Sequence, residues 1–546
     1  MKTSRICIMA ISLAACSLPL FGQFDGTPAA RAAYERGNTA RTSGHYAEAV
    51  KDYKQAMSLD RNFAQAYQNY IATEYLAAYQ GAKKTHKKSD TAKAKTILEA
   101  ENKTTMGLIG RFQTLSRRHP KKAIYRWALG QIYSEDNPVW EEAYCRQSVQ
   151  LDPGFAPGYQ CLANVAYLRG DKARVIALRR KVMDLEPENA EAAFQYAWEL
   201  QGNPAAYRDA TMRMIQSFPR SPQSAQALYW YAEHQATDAA AAKYFEQLYK
   251  QFPPQQFDWS ENGTEQLFDI YDRTDPAKAQ KLAHEMLAAD PSNKDWVAFA
   301  SYADAMAKAE QEIHENNPAA ALSTMKAIKS PSYDFDMRRE QLLYARALDL
   351  AGKTSDAYES LLTDYAKHPT AEVHAALEQY GARAGKNSRQ IDAAVWSAMK
   401  ADSIPSIPFT LENLSDGEQV SLKNYRGHVV IVDFWFPNCG PCRQSFPYLQ
   451  KIATEYKDKG LIVLAINGMK GQETFVLPLL KSEGYSFVPL AGSEEWDANV
   501  YHVRTYPSTF LIGEDGRVYF RPHIYNRREE SATELEVNEL LAHGGS

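Results

Sequence analysis

Cysteine is scarce in this chain, with six in 546 residues, at positions 7, 16, 145, 161, 439 and 442. A small fold stapled by disulfides is therefore excluded, and stability has to come from packed cores. Long apolar runs are also missing. Beyond the extreme N-terminus no stretch approaches the roughly 20 apolar residues that a membrane-spanning helix needs. There is no excess of one charge either: 62 Lys and Arg against 66 Asp and Glu leave a net −4. Nothing global points to nucleic acid or to an anionic membrane surface. From about residue 28 to 400 there are no β-branched runs, which argues against strands there. Finally, there is no second Cys-x-x-Cys to join Cys439 and Cys442, so a structural zinc would lack ligands. What remains is 45% apolar and 23% charged, ordinary for a globular protein long enough for several domains.

The N-terminus reads as an export signal. Lys2 and Arg5 give a positive start, residues 6–13 open an apolar stretch that runs to Phe21, and cleavage after Gly22 or Gln23 suits a small-residue site. Residues 1–23 are then a signal peptide. A second reading stays open. Leu13-Ala14-Ala15-Cys16 resembles a bacterial lipobox, with residues 1–15 as the signal and Cys16 lipidated. The apolar Leu18-Pro19-Leu20-Phe21, where a polar tether is expected, favours plain secretion. Either way the chain is expected in the periplasm or cell envelope, where disulfides persist and a dithiol must be supplied with electrons.

Residues 28–400 read as helix after helix, rich in Ala, Tyr, Leu, Gln and Lys and broken near Gly or Pro. The breaks recur. Pro120, Pro153, Pro187, Pro219 and Pro253 are spaced by 33, 34, 32 and 34 residues, and Pro291, Pro331 and Pro369 continue more loosely. Gly37, Gly44, Tyr46, Ala49, Tyr53 and Ala56 recur in kind as Tyr159, Leu162, Ala163 and Gly170. Small residues let two helices approach, aromatics fill the groove between units, and proline ends the second helix because it has no N–H to donate. This pattern resembles the tetratricopeptide repeat, an α-solenoid of about nine or ten helical hairpins. A basic insertion at about 76–122, including Lys83-Lys84-Thr85-His86-Lys87-Lys88, interrupts the period. It is either a basic contact surface or, as isolated charge runs usually are, a solvated, lengthened hairpin.

Near Ser403-Ile404-Pro405-Ser406-Ile407-Pro408 the helical pattern stops, which marks a linker. Strand-like segments follow at 409–411, 420–422, 429–434, 461–466, 509–512 and 518–520, with helical pieces at about 443–458, 472–483 and 529–542. Such alternation predicts an α/β domain over 402–546. At its first strand-to-helix junction stands Cys439-Gly440-Pro441-Cys442, directly after an apolar run that ends in Asp433-Phe434-Trp435. Two cysteines at this spacing can close and reopen a disulfide, and the arrangement lowers the first thiol's pKa.

Three separated features together resemble the thioredoxin superfamily, in particular the TlpA/ResA-like oxidoreductases and the related AhpC/TSA redoxins. They are the 433–442 strand and loop, the 501–510 segment with Pro507 lying 65 residues after Cys442, and the 409–427 lead-in. The resemblance implies a redox-active disulfide as the only prosthetic element, with no metal and no cofactor. It implies Cys439 as nucleophile, Cys442 as resolving thiol, Gly440 and Pro441 shaping the turn, and a cis Pro507 against the pair. Asp433 becomes a buried carboxyl that moves the resolving thiol's proton, its pKa raised by desolvation; the bland alternative is an edge residue facing water. Trp435 becomes a packing wall, with substrate contact as the lesser role. There are departures from the pattern. Ser445 stands where the TlpA/ResA-like enzymes carry Glu, Asp433 where they often carry Asn, and Ala465 where a Lys partner is often seen.

The expected function is an extracytoplasmic thiol–disulfide oxidoreductase, recharged by a membrane thiol donor, that reduces partner proteins recruited by the repeats as proteins or peptides. The alternatives are a repeat scaffold with a sensing or vestigial redox domain, and a peroxiredoxin-type peroxidase. Peroxidase chemistry needs Pro and Thr where Val432 and Phe436 stand. Cys145 and Cys161 either pair or sit as buried hydrophobes; both readings make them structural.

Overall fold

The computed structural model describes residues 26–84, 90–134, 137–332, 335–520 and 527–543. The expected signal segment, with Cys7 and Cys16, and residues 85–88 of the basic run lie outside them. Among the described residues no helix is long and apolar enough to cross a membrane.

From Pro28 to Asp402 the described chain is twenty consecutive helices, each packed on the next, as ten hairpins. The first pair, Pro28–Thr42 and Tyr46–Leu59, shows why the pattern folds this way. A Cβ on Gly37 would lie 2.7 Å from the Tyr53 ring, so only glycine lets the helices close. The prolines of the repeat stand two residues beyond the helix ends Leu151, Leu185, Ser217 and Gln251. Other prolines open helices behind an Asn or Asp cap, as Asn137-Pro138, Asn203-Pro204 and Asp275-Pro276 do, a position where the missing N–H costs nothing. The basic insertion is a lengthened hairpin, Ala64–Lys84 and Asp90–Arg118, of 21 and 29 residues.

The C-terminal domain carries β1 (Ile404–Pro405), β2 (Thr410–Glu412), β3 (Gln419–Ser421), β4 (Val429–Trp435), β5 (Leu461–Asn467), β6 (Val488–Ala491), β7 (Ser508–Ile512) and β8 (Arg517–Phe520). Its helices are α1 (Gly440–Glu455), α2 (Glu473–Glu483), α3 (Glu494–Val500) and α4 (Arg527–His543). The main sheet runs β1-β8-β7-β4-β5-β6, with β4–β5 and β5–β6 parallel and the other pairs antiparallel; β2 and β3 form a separate hairpin. All seven residues of β4 are buried, as a continuous apolar run between two neighbours should be. Two details depart from the expected pattern. Ile404-Pro405, read as linker, pairs with β8 as an edge strand, where proline loses no ladder bond. Val488–Ala491 forms the opposite edge as β6; its proline and four-residue length hid it.

The last solenoid helices and the C-terminal domain share one core. Val373, Leu377, Ile391, Val395 and Met399 pack in the same apolar cluster as Val429, Trp435, Phe446 and Leu540. Trp396 stacks on Tyr519 at 5.0 Å, and the Tyr365 hydroxyl donates to Glu539 Oε1 at 2.5 Å.

Candidate active site

The site starts from β4. Its apolar run fills the sheet centre and ends at Trp435, which is fully buried and packs on Phe446 at 4.7 Å. That burial leaves Trp435 the packing wall and gives it no face toward a substrate. The chain then turns through Phe436-Pro437-Asn438 into α1. Cys439 is the N-cap of α1, with Gly440 and Pro441 in the first turn, where Pro441 forfeits no helix bond.

Cys439 and Cys442 are disulfide-bonded, with Cα atoms 5.3 Å apart. Cys442 is fully buried and Cys439 is 4% exposed. The Cys442 N–H donates to Cys439 Sγ at 3.2 Å. This donor is one of the helix's free N-terminal amides, and together with the helix dipole it favours negative charge on that sulfur once the bond is reduced. The Ser445 hydroxyl, where a Glu was the family expectation, donates to the Cys442 carbonyl at 2.8 Å.

Asp433 lies inside β4, opposite Ala465 of β5 and Thr509 of β7. It is completely buried, so the water-facing alternative does not hold. Thr509 Oγ1 donates to Oδ1 at 2.7 Å, and Oδ2 has no hydrogen-bond partner among the described residues. Burial pushes the carboxyl up to about 7, with the Thr509 hydrogen bond pulling modestly the other way. The register explains the missing cation, since the neighbouring position on β5 is Ala465.

The Tyr506–Pro507 bond is cis. Pro507 immediately precedes β7, whose Ser508 pairs with Phe434, so it arrives at the Trp435 end of β4. Tyr506 packs edge-on against Phe436 at 5.3 Å, which joins the proline loop to the cysteine loop. The structure therefore gathers Asp433, Trp435, Cys439, Gly440, Pro441, Cys442 and Pro507 at one end of β4.

Sequence reasoning missed three participants. The Asn438 N–H donates to Gln472 Oε1 at 3.2 Å, so a buried glutamine from beyond β5 braces the cysteine loop. The Tyr506 hydroxyl donates to Asp497 Oδ2 at 2.6 Å; burial pushes this second carboxyl up to about 7, against the pull of that hydrogen bond. Arg443, next to Cys442, reaches across to Tyr167 of the solenoid. None has a local motif; Asp497 is one of three acids in the short helix Glu494–Val500, and nothing in the sequence sets it apart from the other two.

Cys145 and Cys161 form a second disulfide, with Cα atoms 6.1 Å apart, between the helices Pro138–Leu151 and Ala156–Leu168. Among the described residues no group of three or more His, Cys, Asp or Glu side chains could hold a metal ion.

The Redoxin family model matches residues 399–539, and the Tetratricopeptide repeat model matches residues 30–63. Thiol-disulfide oxidoreductase ResA of Halalkalibacterium halodurans is 31% identical over 113 residues, covering 21% of this chain and 63% of the relative. ResA of Bacillus subtilis is 30% identical over 110 residues, covering 20% and 60%. The thioredoxin-like protein YneN of Bacillus subtilis is 36% identical over 110 residues, covering 20% and 63%. The chain thus spans somewhat under two thirds of these relatives' length. Among solved structures, a thiol:disulfide interchange protein from Bacteroides sp. matches at 24% identity and TM-score 0.23, covering 25% of this chain and 90% of that one.

Proposed function

We propose that this chain, a redoxin domain fused to tetratricopeptide-repeat helices, is an extracytoplasmic thiol–disulfide oxidoreductase that reduces disulfides of proteins held by its solenoid. One observation carries the reading: the Cys439–Cys442 disulfide sits on the first turn of α1, where the Cys442 amide donates to Cys439 Sγ. The curated relatives named thiol-disulfide oxidoreductases support it.

In the reduced protein the Cys439 thiolate attacks one sulfur of a substrate disulfide. The other substrate sulfur leaves as a thiolate and takes up a proton, and a mixed disulfide joins substrate to Cys439. Cys442 then gives up its proton, with Asp433 as acceptor. Its thiolate attacks Cys439 Sγ, releases the second substrate thiolate, and closes the Cys439–Cys442 bond. Two electrons have passed to the substrate, and a thiol donor at the membrane restores the dithiol. A carboxyl with a pKa near 7 can take and return that proton at neutral pH.

Turnover of a protein disulfide such as insulin, by wild type and Cys439→Ser, tests the reading. Loss of turnover in the variant is expected. Equal rates would leave the domain a scaffold or sensor. Cys442→Ser should trap the mixed disulfide, and mass spectrometry of the captured protein then identifies the substrate. Cell fractionation tests the location.

A further inference from the structure

The dithiol helix is gripped by a solenoid turn that lies 276 residues away in sequence. Arg443 follows Cys442 in the first turns of α1. Its guanidinium lies over the Tyr167 ring, 3.6 Å from the centroid, and its Nη1 donates to the Tyr167 carbonyl at 2.7 Å. Its other nitrogen faces Glu483, the last residue of α2, at 3.7 Å. Tyr167 is the penultimate residue of the helix Ala156–Leu168, and three residues on Gly170 turns with φ at +73°. That turn presses on α2. A Cβ on Gly170 would meet Ser482 Oγ and lie 3.1 Å from Leu479 Cδ1. The repeat fold does not require such a contact. Gly44 and Gly352 make the same turn with φ of +74° and have nothing within 4 Å of where a Cβ would stand.

The contact matters because of what it holds. The Cys442 N–H reaches Cys439 Sγ only while the first turn of α1 stays wound. A cation near a helix N-terminus is disfavoured by the helix dipole, so Arg443 tends to loosen that turn unless something fixes it. A planar guanidinium stacked on a ring and bonded to a carbonyl is such a fixture. The charged and titratable groups around this contact are Arg443, Glu483 and Tyr485 from the C-terminal domain and Tyr167, Lys172, Arg179 and Glu199 from the solenoid, with Asp433 inside β4.

We propose that Tyr167 is a positioning residue of the dithiol site: acting through Arg443, it ties the solenoid to the first turn of α1 and keeps the Cys442 amide on Cys439, so that the solenoid sets the reactivity of Cys439. The inference rests on Cys439 being the reactive thiol.

The test uses the full chain, reduced, with variants Tyr167→Ala, Tyr167→Phe, Gly170→Ala and Gly352→Ala. Two quantities are read: the pH profile of Cys439 alkylation by iodoacetamide, followed by mass spectrometry on the Cys439 peptide, and the dithiol–disulfide equilibrium of Cys439 and Cys442 in glutathione. Tyr167→Ala and Gly170→Ala should raise the alkylation midpoint, slow the reaction near neutral pH by at least about threefold, and shift the glutathione equilibrium by a similar factor toward the disulfide. Tyr167→Phe keeps the ring and the carbonyl and should behave as wild type. Gly352→Ala carries the same backbone strain away from the contact and should also behave as wild type. Should Tyr167→Ala fail to fold, Arg443→Lys, which keeps the charge but loses the stacked fork, should give the same shifts. Wild-type profiles in the two disrupted variants, or an equal shift in Gly352→Ala, would overturn the proposal. Alkylation needs no substrate. The expected shifts in Tyr167→Ala and Gly170→Ala, found in a chain whose wild type does not turn over insulin, would therefore defeat the oxidoreductase reading and leave this one standing.

Discussion

The two disulfides of this chain join the same atoms in opposite surroundings. Cys145 and Cys161 sit midway along two solenoid helices, both buried, and a Cβ on Gly130 would lie 2.7 Å from Cys145 Sγ, so the pair is packed on every side. Cys161 Sγ faces a carboxyl oxygen, Glu141 Oε1, at 3.6 Å. Cys439 faces a helix amide instead. An oxygen lone pair facing the sulfur disfavours a thiolate, and a free helix N–H favours one. The lesson is that the helix end, rather than the bond, makes a disulfide a reagent.

The widest separation between the two is kinetic. Cys439→Ser should lower insulin reduction by at least about a thousandfold, because removing a nucleophile removes the whole pathway. The double variant Cys145→Ser with Cys161→Ser should stay within about twofold of wild type, since neither sulfur takes part in exchange. Comparable losses in both would erase the distinction between the two sites.

Two carboxyls, one from each region, show the same contrast of neighbours. In the solenoid Glu142 is paired with three arginines. Glu142 is pushed up by burial, but Arg174, Arg169 and Arg146 more than offset this and hold it down to about 2. In the redox domain Asp433 has no cation and is pushed up to about 7. An Asp with a raised folded pKa ionises in the unfolded chain from about pH 4 but in the folded chain only near 7. Its burden on stability therefore builds across that window and stays constant above it. Asp433→Asn should thus be more stable than wild type above pH 7, by about 4 kcal/mol as an upper figure, and no more stable near pH 4. It should also slow disulfide exchange. Denaturant titrations at both pH values, beside insulin turnover, check this; lower stability at both would mean that the carboxylate is structural.

How much of this was legible in the sequence follows from range. The Cys-Gly-Pro-Cys turn, the buried run of β4, Pro507 and the repeat prolines are local signals, and each stands where its local physics puts it. Asp433 could be read as buried only through the family resemblance, because the apolar strand by itself left an edge residue facing water open. Gln472, Asp497 and the Arg443–Tyr167 contact could not be read, because each depends on which distant loop folds over the cysteine helix. Repeat spacing specifies hairpins, but it does not say which turn of the solenoid meets the C-terminal domain. Tyr167 looks like any repeat aromatic until Arg443 is laid on it. The pairing of Cys145 with Cys161 was open for the same reason, since it turns on a Cα separation of 6.1 Å that no local pattern encodes.

The smallest effect tests the structural side of the comparison alone. The Cys145–Cys161 bond closes a loop of 16 residues, and restraining the unfolded chain over such a loop stabilises the fold by about 3 kcal/mol. The double serine variant should lose about that much in denaturant unfolding. It should also lose more than Cys439→Ser paired with Cys442→Ser, whose three-residue separation leaves far less chain to restrain. The helix that carries Cys161 also carries Tyr167, so the double variant has a second readout. If the bond only staples two helices, Cys439 alkylation stays as in wild type while stability falls. If the bond also holds Tyr167 against Arg443, the alkylation midpoint rises with the loss of stability, and the division between a structural and a reactive disulfide becomes a coupling between them.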